Sequence, residues 1–155
     1  MFGFLVRSQE SIEASPTSFE RLIGDAAGLR EAIWERVAGL SFRDKVTFFC
    51  VIRDLSSAIR KAHSTPLETL PFGPLPALTS QQSKVLIREI GKFFTEADRD
   101  GNELAALAAA YCQAMAIVCL AGSVAKGQQQ QLRFTSLRDE FARQTEELIE
   151  SLEYA

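Results

Sequence analysis

One histidine and three cysteines are the side chains of this 155-residue chain best suited to nucleophilic, redox or metal chemistry. His63 stands alone, which excludes two-histidine zinc motifs and the paired Glu-x-x-His motifs of di-iron bundles within one chain. It falls at a predicted helix end beside Ser64 and Thr65, and reads as a C-terminal cap rather than an axial haem ligand. Cys50, Cys112 and Cys119 all lie in apolar sequence. Cys112 and Cys119 sit about two turns apart on one predicted helix, roughly 10 Å along its axis, too far for a disulfide. An odd set of thiols serving as small hydrophobes points to a reducing compartment, so a cytoplasmic location is expected. There is no Gly-x-Ser-x-Gly elbow, no phosphate-binding Gly-rich loop and no Cys–His pair in a visible context. The expectation is a non-enzymatic chain with no catalytic, cofactor-binding or metal-ligating residue assigned.

The stretch Glu96-Ala-Asp98-Arg-Asp100-Gly101-Asn102 resembles the first half of an EF-hand calcium loop, where oxygen ligands alternate before a Gly. The resemblance stops there. Leu107 occupies the position of the closing bidentate Glu, and Glu103 that of the usual aliphatic residue. A helix–helix turn with capping acids accounts for the same residues and is the reading adopted.

Composition narrows the function further. A formal net charge of -3 argues against a nucleic-acid binder, which neutralises phosphates with a basic surface. With 46% hydrophobic and 24% charged residues, the chain has the balance of a globular protein with a real core. Eleven Phe against one Trp and two Tyr imply core rings without polar handles.

The elements that would carry these residues are helical. Thr17 and Glu20 have capping-box spacing, and Phe19, Leu22, Ile23, Ala26, Ile33, Trp34 and Val37 then form one stripe ending at Gly39. Gly24 and Gly28 inside it either permit close packing or mark a break. A second helix starts at Ser41, with Asp44 three residues on. Its wide apolar face runs through Val46, Phe48, Phe49, Val51, Ile52, Leu55, Ile59 and Ala62. Pro66, Pro71, Pro74 and Pro76 exclude a helix between 64 and 79. Leu67, Leu70, Phe72, Leu75 and Leu78 among them predict an ordered strap across the bundle. A third helix runs from about Ser80 to Ala97, with Val85, Leu86, Ile90, Phe93, Phe94 and Ala97 on its core side. Asp100 with Glu103 is expected to cap a fourth helix that ends near Gly127. The Gln128–Gln131 run reads as a polar loop or frayed extension. An acidic amphipathic helix follows from Ser136, with Leu137, Phe141, Leu148, Ile149 and Leu152 on one face.

Residues 104–125, LAALAAAYCQAMAIVCLAGSVA, carry no charge and span roughly 33 Å as a helix, enough to cross a bilayer. Their Ala content and the central Gln113 favour instead the buried axis of a bundle, with amphipathic helices around it. The fold class expected is all-α: one domain over 1–155, with residues 1–16 an N-terminal extension and 17–155 a bundle of about five helices.

For function, the preferred expectation is an interaction module, as adaptor, regulator or accessory factor, with another protein or a second copy of itself as partner. Nucleic acid is not expected as a partner, and a membrane is disfavoured. Surplus apolar surface places the candidate interaction residues at Phe2, Phe4 and Leu5, at Leu70, Phe72 and Leu75, and at Phe141, Leu148 and Leu152. The alternatives are a bundle holding an apolar or pigment-like molecule among Phe, Ala and Cys side chains, and a membrane-associated protein with 104–125 as its span.

Overall fold

The computed structural model describes residues 18–63 and 78–153. Five helices account for nearly all of them: α1 (Phe19–Ala38), α2 (Phe42–His63), α3 (Ser80–Arg99), α4 (Glu103–Val124) and α5 (Gly127–Glu153), with no strand among the described residues. The architecture is an all-α bundle with α4 at its centre.

Every residue of α4 from Ala106 to Ala121 is buried. Small Ala side chains let neighbours approach its axis from all sides, which is why four helices can share one core element. All four pack on α4, whereas α1, α2 and α3 hardly touch one another among the described residues. By length and composition α4 could cross a membrane, yet 89% of its most apolar stretch lies inside the bundle.

Two polar side chains on α4 fix its register. Gln113, fully buried, donates from Nε2 to the Ile87 carbonyl of α3 at 2.9 Å. Tyr111 gathers one aromatic ring from each of three helices: Trp34 of α1 at 5.9 Å, Phe48 of α2 at 5.9 Å and Phe141 of α5 at 5.5 Å between centroids. Its hydroxyl lies 3.4 Å from Thr145 Oγ1. Burial pushes the phenol well above its ordinary range.

Helix α3 runs antiparallel to α4 and opens where α4 closes, with Ser80 Oγ 2.8 Å from Ser123 Oγ. On the other side α1 is tied to α5 by ion pairs from Arg133 to Glu20 at 2.6 Å and Arg30 to Glu140 at 3.1 Å. Arg133 also stacks over the Phe19 ring.

Several local expectations need correction. Ser18 caps α1, accepting from the Arg21 N–H at 3.5 Å; Thr17 lies outside the described residues. Ser41 accepts from Asp44 N–H as expected. Asp100 does not cap α4 but closes α3, and Asn102 caps α4 by accepting from the Ala105 N–H at 3.1 Å. The Asx side chain directly before the helix wins over one two residues earlier. Gly127, at φ +76°, opens α5 instead of closing α4. Residues 128–131 are therefore helical, and α5 starts well before Ser136. The Gln130 side chain accepts from the Lys126 N–H at 2.8 Å, supplying a cap that polar composition alone does not announce. Gly24 and Gly28 neither break α1 nor admit a neighbour; both face open space. The predicted strap lies outside the described residues except for its last two positions, Leu78, which is buried, and Thr79, which forms a capping box with Gln82.

A candidate docking cleft

Because α2 and α3 both lie on α4 and hardly touch each other, a cleft of about 450 Å³ opens between them. Val51, Asp54 and Leu55 form one wall, Phe93, Glu96 and Ala97 the other. Ala105 and Ala109 of α4 make the floor, and Asp100 and Asn102 close one end. Each wall uses the same helical spacing, an apolar residue at i, a carboxylate at i+3 and an apolar residue at i+4, which puts all three on one face. The floor is deep because Ala side chains fill little of the space between the helices.

Phe93 is the feature that distinguishes this cleft. Sequence periodicity placed it in the core with Phe94, yet it is 43% exposed while Phe94 is buried. Adjacent residues on a helix differ by about 100° in direction, so only one of the pair can face α4. Four other rings, Phe19, Phe48, Phe94 and Phe141, are the core fillers that the Phe bias implied.

The turn at the cleft's end is built by backbone hydrogen bonds. Asp100 N–H donates to the Glu96 carbonyl at 3.0 Å and Asn102 N–H to the Ala97 carbonyl at 2.9 Å. Gly101 adopts φ +71°, the left-handed conformation that glycine tolerates. The acids resembling a calcium loop serve this helix–helix turn. Among the described residues no three His, Cys, Asp or Glu side chains are grouped to hold a metal ion. Leu107, at the position of the missing closing carboxylate, is in the core.

The predicted interaction residues divide into two groups. Phe2, Phe4, Leu5, Leu70, Phe72 and Leu75 lie outside the described residues. Phe141 and Leu148 are 1% and 5% exposed, so α5 turns them inward against the bundle, and Leu152 is packed against the same core. Their apolar surface is taken up by the bundle's core. Cys112 and Cys119 are buried and Cys50 is half-buried. Burial pushes the Cys119 thiol up to about 12, which makes it a poor nucleophile.

Comparison of the chain with protein families, with curated proteins and with solved structures finds no match.

Proposed function

We propose that this chain is a non-enzymatic interaction module, an adaptor, regulator or accessory factor, that docks part of a partner protein in the cleft between α2 and α3. The observation that carries the reading is Phe93, a large apolar side chain 43% exposed on the wall of a cleft whose floor is formed by Ala105 and Ala109. Half-exposed aromatics beside a well-formed pocket are what a partner's anchor residue packs against. The other large exposed apolar side chains described, Phe42 and Leu132, line neither wall. A cytoplasmic setting suits three cysteines that form no disulfide.

A partner captured from the native host should be lost with Phe93→Ser and with Ala105→Arg, and retained with Leu132→Ser. Equal capture by all three overturns the reading. Light scattering on the same samples separates a second copy of the chain from a different protein.

A small apolar ligand is the second reading, because about 450 Å³ falls in the range of ligand pockets. Native mass spectrometry of the purified chain would reveal such a passenger as added mass.

A further inference from the structure

Resting on that reading, we propose that the segment the cleft accepts is basic: a short stretch of a partner protein with a bulky apolar side chain flanked by Lys or Arg. Three carboxylates, Asp54, Glu96 and Asp100, line the cleft beside Asn102 and apolar side chains, and among the described residues no cationic side chain lines it. They stand on both walls and at the closed end, so a guest meets negative charge on each side. Arg53 is paired to Asp54 at 3.4 Å, with both side chains more than half exposed. Such a pair yields readily to a competing cation.

The end of α3 adds to this field. Its C-terminal carbonyls carry the negative end of the helix dipole, and Glu96, Asp98 and Asp100 all cluster there. Helix stability favours cations at that end, and Arg99 alone supplies one. A basic guest would supply more.

Charge also discriminates between occupants. Residues 64–77 contain Glu68 and no Lys or Arg, and residues 1–17 contain a single Arg7 against Glu10 and Glu13. A second copy brings a further net charge of -3. None of these complements the carboxylates as a basic partner segment does.

The test uses short fluorescent peptides and the full chain, with binding read by anisotropy. One peptide carries Phe and Leu flanked by Lys, a second the same apolar residues flanked by Glu, and a third the Lys residues with Ser replacing Phe and Leu. The Lys-flanked apolar peptide should bind best, and added salt should weaken it. Combined Asp54→Asn, Glu96→Gln and Asp100→Asn should weaken it about tenfold. Combined Glu146→Gln, Glu147→Gln and Glu150→Gln, on the exposed side of α5, should leave it unchanged. Ala105→Leu, which fills the floor, should abolish binding.

Equal weakening by the two triple variants overturns the proposal, since that is general charge attraction. Equal binding of the Glu-flanked peptide, lost with Ala105→Leu, overturns the basic preference while the docking cleft stands. Indifference of every peptide to Ala105→Leu overturns both. Binding that appears only after Leu70→Ser, Phe72→Ser and Leu75→Ser assigns the cleft to residues 64–77 and also overturns the proposal. Glu96→Gln alone, with circular dichroism as the folding check, replaces the triple variant should that fail to fold, and a peptide affinity it leaves unchanged overturns the proposal.

Discussion

The ring of Phe134 lies over Gly122 so closely that a Cβ there would stand 2.5 Å from its Cε1 and 2.6 Å from its Cζ. This contact sets how near α5 comes to the end of α4. Gly122→Ala should therefore destabilise the bundle by about 1–2 kcal/mol in urea unfolding, overpacking outweighing the gain in helix propensity. In a Phe134→Ala background the same change should be neutral, or stabilising by up to about 1 kcal/mol. A cycle with no coupling between the two positions would remove the contact from the account.

Tyr111 holds the aromatic cluster by its ring more than by its hydroxyl. Tyr111→Phe, which loses the 3.4 Å contact to Thr145, should cost about 1 kcal/mol or less. Tyr111→Ala should cost about 3–5 kcal/mol, as for other large core side chains. Equal losses would show that the hydroxyl, not the stacking of Trp34, Phe48 and Phe141, is the main contribution.

Alkaline pH should unfold the protein through two buried acids. The Cys119 thiol is raised from 9.0 to about 12, and the Tyr111 phenol is raised from 10.0, both chiefly by burial. In each case the unfolded chain ionises first. The stability they contribute is fully present below pH 9 and falls as pH rises from about 9 toward 12. Cys119→Ala should flatten that decline relative to its own stability at pH 7. A slope identical to wild type would rule out the thiol as its source.

Thiol reactivity at neutral pH should separate the three cysteines. Only Cys50, half-buried on α2, should react with a thiol reagent in the native protein, whereas all three should react in denaturant. Rapid native labelling of Cys112 or Cys119 would mean that α4 is not enclosed as described.

Much of this fold is legible in the sequence because its strongest signals are local. The charge-free run around Gln113 specifies a buried axis, and Ser41 with Asp44 marks a helix start that the structure repeats. Errors arise where two neighbours offer the same chemistry, as with Asp100 and Asn102. They also arise where a cap is made across several residues by a long side chain, as Gln130 does for Lys126. The cleft was hidden for a different reason. Val51-Asp54-Leu55 and Phe93-Glu96-Ala97 each look like ordinary amphipathic spacing. Only their placement on either side of Ala105 and Ala109 brings the two triplets together. Phe93 could have been separated from Phe94 by the 100° step between them, had the direction of α4 been known.

The central position of α4 also orders events during synthesis. Helices α1, α2 and α3 emerge first, and their apolar faces find few partners in one another. The nascent chain must therefore carry more than half of its length without a finished core. Only when Tyr111 and its neighbours arrive can the preceding helices close around them, so assembly is a late, concerted step. A chain truncated before α4 should be captured by chaperones rather than fold.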